Sequence, residues 1–532
     1  MRCLPIAALL LPLVFGVGSA TVYVEDALFW KAYGKSELRE ALGVGGGAGE
    51  NAKFAKNVVI FIGDGMGPNT VTATRIYKHG ERGQLTFEKF PHVGLLKTYS
   101  VDKQVSDAAS ATTAMFTGVK INQKVIGLDA NHHLNDIVHC EEPTRIGLET
   151  LATWAQEAGK HTGFVTNSRI TDATPAALYA QTSNRKWECN AAVPSHAVHC
   201  KDIARQLIED EPGRNFKVIM GGGRQSFVAN TTATLKEIND KRVCRRTDGK
   251  NLVDDWIKDK SSKHSSYRYL TNTNDIVSMN TETTDYVLGL FSHGWMPMEY
   301  RRDKSIPSLE KMTETALQIL SKSENGFFLM AKGGSIDLAH HRSMARLALD
   351  ETWELDKAVN RTIHLLKLWN VLDDTLLVVT SDHASTLSIN GYPDRGNSIL
   401  GVAGKSQVDY VKYTTLLYAI GYSPKQIYTR QGKEVIRQDP TVFNTLSTGF
   451  TQQVGIMEET GIHGGNDVAV YTRGPMGHLF HSTHEQSYVA HAVAYAAKMG
   501  PYQNGLNKAT SVIFTKCYLM LTFVVICIFF NY

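Results

Sequence analysis

Asp64 is the residue of this sequence whose position points most directly to chemistry. It follows the apolar run 58–62 and lies within the glycine-containing turn 63–67. A run of β-branched and aromatic residues that ends at glycines predicts a buried strand of a parallel sheet and then a tight turn. Ligands of open α/β sheets bind beyond the carboxyl ends of the strands, so a carboxylate at this position predicts a bound cation.

Further residues of metal-ligand type have a spacing or a position that favours a shared cation. Asp337 and His341 are four residues apart, which places both side chains on one face of a helix. Asp382 and His383 follow the apolar run 376–380, and His463 lies among glycines. A single pair of this kind is more often a capping or solvated pair, so the inference depends on their joint occurrence. Aspartate and histidine without thiolates favour zinc in an open, catalytic geometry.

The elements that must position these residues follow from the apolar pattern. Short apolar runs that end at glycine or aspartate predict further strands at 163–166, 217–220, 327–330 and 376–380. Amphipathic stretches between them predict helices at 146–158 and 307–320. Strands that alternate with helices predict a three-layer α/β/α sandwich with a large, mostly parallel sheet. From 391 to about 461 the pattern is mixed and polar, which predicts a lobe inserted in a single catalytic domain.

Composition and charge exclude some functional classes. The chain has 532 residues, of which 43% are hydrophobic and 20% are charged, so it can bury one large core or two ordinary ones. The net charge of +4 is small for this length and no strongly basic block is present. Charge therefore gives no support for nucleic-acid binding.

Both ends of the chain have the pattern of targeting segments. Residues 1–20 carry one arginine, an apolar stretch and then small residues, which is typical of a secretory signal peptide. Residues 517–530 are almost wholly apolar and follow the polar stretch 503–516. This predicts a domain at 21–505 and a tail at 506–532 that is exchanged for a GPI anchor; a single-pass tail anchor is the alternative. The expected location is the extracellular face of the plasma membrane, reached through the secretory pathway.

Cysteine usage agrees with secretion. Four cysteines lie between the terminal segments, and this even number allows three pairings: Cys140, Cys189, Cys200 and Cys244. Asn230 and Asn360 begin sequons for glycosylation, which is consistent with passage through the secretory pathway.

From residue 57 to about residue 502 the sequence resembles the alkaline phosphatases. The shared motifs occur in the family's order, at 63–67, 98–103, 117–120, 172–175, 221–224, 337–341, 382–383, 391–393 and His463. The signal, the tail and the inserted lobe resemble those of animal, membrane-anchored members. The resemblance implies hydrolysis of phosphate monoesters at alkaline pH at a two-zinc centre.

The resemblance also implies a role for each site residue. One zinc ion would be held by Asp337, His341 and His463, and the other by Asp64, Asp382 and His383. Together the two ions would clamp a phosphoryl group. Arg185 matches the arginine that grips phosphate through a bidentate fork. Asp64 and Thr174 match two of the three protein ligands of the family's magnesium site.

Disulfide pairing and assembly are further implications of the resemblance. Cys140 and Cys200 occupy the positions of a disulfide in animal members, which leaves Cys189 and Cys244 as a second pair. Members of the family are usually homodimers, in which an N-terminal helix such as 26–42 packs on the partner.

The sequence departs from the family at the nucleophile. The family's serine follows an aspartate at the start of a helix, and alignment without gaps places Ala108 there. Alanine has no oxygen to attack phosphorus, so the covalent phosphoserine route is closed. Ser106 and Ser110 lie two residues away on either side, about 200° around a helix, so neither is expected to point at the zinc pair.

A second departure concerns magnesium. Lys332 stands where animal members have a glutamate that is the third magnesium ligand. A lysine has no acceptor atom and cannot bind a cation. Two arrangements remain open at this position: the ammonium replaces magnesium and pairs with Asp64, or the side chain turns to solvent.

Two functional hypotheses follow. In the first, the protein is an active but impaired phosphatase, in which water activated on zinc attacks phosphorus directly. In the second, it is a catalytically silent relative that keeps zinc and binds phosphate or a protein partner at the cell surface. A dinucleotide-binding enzyme is excluded, because the glycine spacing around Asp64 does not match the fingerprint and its carboxylate would face a pyrophosphate.

Overall fold

The structure is a computed structural model that describes residues 25–44, 53–141, 147–229, 243–422 and 428–506. The strands are β1 Asn57–Gly63, β2 His92–Lys97, β3 His161–Arg169, β4 Val218–Gly222, β5 Tyr267–Leu270, β6 Tyr286–Leu290, β7 Phe327–Gly333, β8 Thr375–Thr380, β9 Ala384–Ser385, β10 Leu387–Ile389, β11 Val402–Lys405, β12 Lys412–Thr414, β13 Leu416–Tyr422, β14 Tyr428–Gln431, β15 Glu434–Arg437, β16 Val454–Glu458, β17 His463–Gly464, β18 Val468–Arg473 and β19 Ser482–Glu485.

The helices differ widely in length, from a single turn to 24 residues. They are α1 Ala27–Val44, α2 Pro68–His79, α3 Ala108–Thr117, α4 Val138–Glu141, α5 Leu151–Glu157, α6 Ala173–Ala176, α7 Ile203–Glu209, α8 Leu252–Ser262, α9 Thr273–Ser278, α10 Leu309–Leu320, α11 Ser335–His340, α12 Ala345–Leu368 and α13 Tyr488–Ala496.

A ten-stranded sheet organises the described part of the chain. Its strand order is β19-β2-β18-β8-β1-β7-β3-β4-β6-β5. Strand β1 is central and pairs in parallel with β7 and β8, while β18 is antiparallel to both of its neighbours. The prediction of a mostly parallel sheet is confirmed. All five strands expected from apolar runs are present, because such runs can be buried on both faces of a sheet.

Helices cover the sheet on both faces. In β1, Val58, Ile60 and Ile62 pack into one core with residues of α3, α5 and α13. Val59 and Phe61 point to the opposite face and pack into a second core with residues of α10 and α12. Successive side chains of a strand alternate between its faces, so a continuous apolar run supplies both cores. The predicted three-layer α/β/α sandwich is confirmed.

Three small sheets lie outside the large one, between residues 387 and 458. They are formed by β10-β13-β16, β11-β12 and β14-β15. The sequence predicts an inserted lobe at about 391–461, which falls in this region. The division into a single domain at 21–505 with this insertion stays a prediction.

Helix boundaries differ from those predicted from the amphipathic pattern. The helix expected at 146–158 is α5, which begins only at Leu151. Thr150 is its N-cap and accepts a hydrogen bond from the backbone N–H of Thr153, so the polar cap rather than the apolar pattern fixes the start. The helix expected at 307–320 is α10, which begins at Leu309 after the N-cap Ser308.

Both disulfides implied by the resemblance are present, Cys140–Cys200 and Cys189–Cys244. The predicted signal peptide, the C-terminal tail and the sequon residue Asn230 lie outside the described residues. Asn360 is exposed on α12. Among the described helices, none is both long and apolar enough to cross a membrane.

Candidate metal centre

The residues predicted to hold metal form two clusters at the carboxyl ends of the parallel strands. Each cluster brings three potential ligand atoms within 4.8 Å of one another: Asp337, His341 and His463 in one, and Asp64, Asp382 and His383 in the other. The second cluster is buried, whereas the first is partly exposed. The rings of His383 and His463 stack with centroids 3.5 Å apart, so the two clusters are adjacent.

The turn after β1 brings the aspartates together. The backbone N–H of Asp64 donates to the carbonyl of Gly333 at 3.2 Å, at the end of β7. The N–H of Gly65 donates to Oδ1 of Asp382 at 3.2 Å. Gly65 has a positive φ of 66°, and a Cβ at this residue would lie 2.8 Å from Oδ1 of Asp337. Glycine is therefore required both by the backbone conformation and by the close approach of this carboxylate.

Backbone carbonyls orient two of the histidines. Nδ1 of His341 donates to the carbonyl of Gly461, and Nδ1 of His463 donates to the carbonyl of Ser106 at 2.9 Å. A neutral imidazole that donates from Nδ1 keeps the lone pair on Nε2, which is the form that binds metal. Burial and the neighbouring His383 lower the pKa of His463 to about 4, and burial also lowers the pKa of His383. The rings of His463 and His383 are thus neutral at physiological pH.

The buried cluster has the properties expected of a cation site. Oδ1 of Asp64 and Nε2 of His383 are buried and make no hydrogen bond within the described protein, although they lie 3.5 Å apart. Burial and the nearby Asp382 raise the pKa of Asp64 to about 7, and burial raises the pKa of Asp382 to about 6. Carboxylates with raised pKa values and an unsatisfied imidazole nitrogen fit a divalent ion such as zinc.

Arg185 lies beside the position predicted for the nucleophile. Its Nη1 donates to Oδ2 of Asp107 at 2.9 Å, and its Nη2 lies 3.6 Å from Oδ1 of Asp172. Asp107 is the N-cap of α3, so Ala108 is the first residue of that helix, as expected. The hydroxyl of Ser110 donates to Oδ1 of Asp107 at 2.9 Å, so it serves the helix cap.

Lys332 is fully buried and pairs with two carboxylates. Its Nζ lies 2.7 Å from Oδ2 of Asp64 and 2.6 Å from Oδ2 of Asp172. Burial alone would lower the pKa of Lys332, but Asp172 and Asp64 outweigh it and raise this pKa. Of the two arrangements left open by the sequence, the structure has the ammonium paired with Asp64. Thr174, the other residue matched to the magnesium site, donates to Oδ2 of Asp382 at 3.5 Å.

Sequence reasoning missed the part played by Asp172. The sequence presents Asp172 only as part of the motif 172–175, yet its side chain contacts both Lys332 and Arg185. The available signal was its position after the predicted strand at 163–166, at the same edge of the sheet as the other strand ends. His340 illustrates the opposite case, because its ring nitrogens contact Thr70 and Tyr418 rather than the clusters.

A third group of ligand-type residues does not form a metal site. Cys140, His199 and Cys200 lie close together, but the two sulfur atoms are joined in a disulfide. A disulfide sulfur is not a thiolate and does not act as a zinc ligand.

Substitution of Gly65 by alanine is expected to weaken metal binding beyond its effect on the backbone. Gly65→Ala and Gly80→Ala both place a side chain at positive φ and should each lower the free energy of unfolding by about 1–3 kcal/mol. Nothing lies within 4 Å of a Cβ at Gly80, whereas a Cβ at Gly65 displaces Asp337. Zinc calorimetry should therefore show an affinity loss of about tenfold for Gly65→Ala alone. Equal affinities in the two variants would contradict this assignment.

The fold and the two clusters together define an α/β protein with a candidate binuclear metal centre beyond its strand ends. A family model described as alkaline phosphatase matches residues 55–499. The chain belongs to the alkaline phosphatase family, and by family it is a phosphoric monoester hydrolase.

Individual relatives agree with this assignment. An alkaline phosphatase from Gadus morhua is 39% identical over 485 residues, which cover 89% of this chain and 97% of that protein. A membrane-bound alkaline phosphatase from Bombyx mori is 38% identical over 504 residues, which cover 92% of this chain and 88% of that protein.

Solved structures support the fold. An alkaline phosphatase from an Antarctic bacterium has a TM-score of 0.57 and 22% identity, and the match covers 85% of this chain and all of that chain. The alkaline phosphatase of Thermus thermophilus has a TM-score of 0.56 and 23% identity, with 85% and 94% covered.

Proposed function

We propose that this protein binds two zinc ions and hydrolyses phosphate monoesters slowly at alkaline pH. One zinc would be held by Asp337, His341 and His463, and the other by Asp64, Asp382 and His383. When bound, the ions would polarise phosphate oxygens, activate water and stabilise the leaving alkoxide. The observation that carries the proposal is the pair of adjacent three-ligand clusters at the strand ends.

The chain's own residues would bind and orient the phosphate group. The guanidinium of Arg185 offers a planar fork that matches two phosphate oxygens. Asp107 and Asp172 contact its Nη1 and Nη2, which fixes the plane of the fork at the start of α3. The side chain is 26% exposed, so a ligand can reach it from solvent.

Weak activity follows from the residue at the start of α3. Ala108 supplies no oxygen, and the hydroxyl of Ser110 is engaged by the helix cap. Without a covalent step, only positioning and electrostatic stabilisation by the remaining groups support hydrolysis. Such residual catalysis exceeds the rate in water, but it lies orders of magnitude below that of a complete site.

A second candidate function is binding of zinc and phosphate, or of a protein partner, without turnover. Ala108 favours it, because it removes the attacking oxygen while both three-ligand clusters and Arg185 are kept. A site that retains its binding groups and lacks its nucleophile can act as a phosphate-binding site at a cell surface.

Metal content and phosphate binding test these proposals together. We expect two zinc ions per chain by elemental analysis, binding of inorganic phosphate by calorimetry, and slow hydrolysis of an aryl phosphate that a chelator abolishes. Arg185→Ala should weaken phosphate binding by at least about tenfold, since a charge-assisted fork is lost. The adjacent, exposed Lys186→Ala is the matched control and should bind phosphate like the wild type.

The outcomes separate the two candidates. Zinc and phosphate binding with no detectable hydrolysis would select the binding function. Protein that holds no zinc after refolding or expression in zinc would reject both.

Location and assembly complete the proposal. The N-terminal signal and the C-terminal tail support a GPI-anchored protein at the extracellular face of the plasma membrane, and a membrane-bound relative is consistent with this location. The family resemblance supports a homodimer in which α1 packs on the partner. Release from cells by a phosphatidylinositol-specific phospholipase would separate a GPI anchor from a spanning tail.

A further inference from the structure

The ammonium of Lys332 is enclosed at the middle of the large sheet. Lys332 lies on β7, which is flanked by β1 and β3. In the register of these strands it is level with Ile62 of β1 and Thr166 of β3. Asp64 follows β1 and Asp172 follows β3, so the lysine reaches carboxylates that emerge on either side of its own strand.

The two contacts are those of a bound cation. Nζ lies 2.7 Å from Oδ2 of Asp64 and 2.6 Å from Oδ2 of Asp172, and the side chain of Lys332 is fully buried. A magnesium ion would need oxygen ligands at about 2.0–2.1 Å in near-octahedral geometry. Lys332 offers no oxygen and fills the space between the carboxylates with a positive charge. The residues present therefore do not fit a magnesium ion.

Asp172 is further neutralised from its other oxygen. Its Oδ1 accepts from Nη2 of Arg169 at 3.3 Å and lies 3.6 Å from Nη2 of Arg185. Arg169 is in turn held by Glu188, which accepts from its Nε at 2.8 Å. Asp172 thus has cationic neighbours at both oxygens, and no further charge is required to keep it buried.

We propose that Lys332 takes the place of magnesium, so that this protein uses a built-in cation and has no magnesium requirement. The inference deepens the proposed function, because Asp64 is also a proposed zinc ligand. The lysine holds Oδ2 of Asp64. The other oxygen, Oδ1, has no hydrogen-bond partner in the described protein and is therefore the atom available to zinc. Lys332 is in this sense a positioning residue.

Magnesium binding and thermal unfolding test the inference on zinc-loaded protein. Wild type should retain no magnesium after dialysis, and millimolar magnesium should leave its Tm unchanged. Lys332→Met leaves Asp64 without its cation and Asp172 with its arginine neighbours only, so magnesium should raise the Tm of this variant. Lys332→Glu supplies an additional oxygen ligand and should bind about one equivalent of magnesium, at least about tenfold more tightly than Lys332→Met.

Lys260 provides a matched control. It is a buried lysine on α8 that pairs with Asp259, and neither residue belongs to the two clusters. Lys260→Met should lower the Tm, but magnesium should not restore it. This variant separates the loss of any buried lysine from the exposure of a cation site.

The results distinguish this inference from the proposed function. Magnesium retained by the wild type overturns the inference without any variant, and so does a Lys332→Glu protein that keeps its zinc but binds no magnesium. A wild-type protein that holds no zinc would reject the two-zinc proposal. If the Lys332 variants still respond to magnesium as described, the role of Lys332 is nevertheless supported.

Discussion

Replacement of Ala108 by serine is expected to raise kcat for an aryl phosphate by about 100-fold or more. Ala108 is the first residue of α3, and the carbonyl of Ser106, two residues earlier, accepts a hydrogen bond from His463 of the partly exposed cluster. A hydroxyl at this helix start lies beside both Arg185 and the metal centre. It opens a covalent route, which splits one difficult displacement into two easier steps.

Trapping of phosphoserine gives this prediction a second readout. After acid quenching, Ala108→Ser should carry labelled phosphate at residue 108, whereas the wild type should carry none. Ala111→Ser is the matched control, because it adds a buried hydroxyl to the same helix. This hydroxyl can donate to the carbonyl of Asp107, so the variant should carry no phosphate. Rapid wild-type turnover through a phosphorylated Ser106 or Ser110 would contradict the prediction, because the chain would then have a nucleophile at a position other than residue 108.

The second large effect concerns Asp382. Asp382→Asn should reduce bound zinc from two ions to one per chain and abolish the residual hydrolysis. The amide keeps the size of the side chain and an oxygen that can accept from the N–H of Gly65, but it loses the charge that balances the ion. Removal of one ligand charge should weaken this zinc by at least about tenfold. Elemental analysis and calorimetry measure the change.

The Tm measured in the presence of a chelator shows whether Asp382 is a zinc ligand or has only a structural role. Without metal, Asp382 lies buried near Asp64, and burial already raises its pKa, so loss of this charge should not lower the Tm of the metal-free protein. Zinc should then raise the Tm of the variant less than that of the wild type. Asp373→Asn, an exposed residue just before β8, is the control and should respond to zinc like the wild type. A variant that is equally destabilised with and without zinc would point to a merely structural role.

The sequence sufficed for five of the ten strands of the large sheet and for the members of both clusters. The apolar runs before Asp64 and Asp382 had to be strands, because β-branched and aromatic residues in an unbroken run are buried on both faces. The spacing of Asp337 and His341 predicted their contact, and Nε2 of His341 lies 2.9 Å from Oδ2 of Asp337. The runs and the spacing are local signals that a single stretch of sequence contains, whereas the grouping of the six ligands into two clusters followed only from the family resemblance.

Long-range pairing was beyond the reach of sequence patterns. Asp172 and Lys332 are 160 residues apart and meet because β3 and β7 are neighbours in the sheet. No local pattern specifies which strand lies beside which, since order is set by the packing of the whole chain. Helix starts were missed for a different reason, because caps such as Thr150 compete with the apolar pattern for the first turn.

The two disulfides enclose the segment with Arg185 and Asp172 but none of the proposed zinc ligands. Cys140–Cys200 and Cys189–Cys244 overlap along the chain, and Asp172 and Arg185 lie inside the first loop. All six proposed zinc ligands lie outside 140–244. Oxidative folding with the correct pairing would therefore organise Arg185, which we propose to bind phosphate, and its partner Asp172, while the proposed zinc ligands come from segments that no disulfide of the described chain encloses. Phosphate binding would thus report on oxidation, and zinc binding would not.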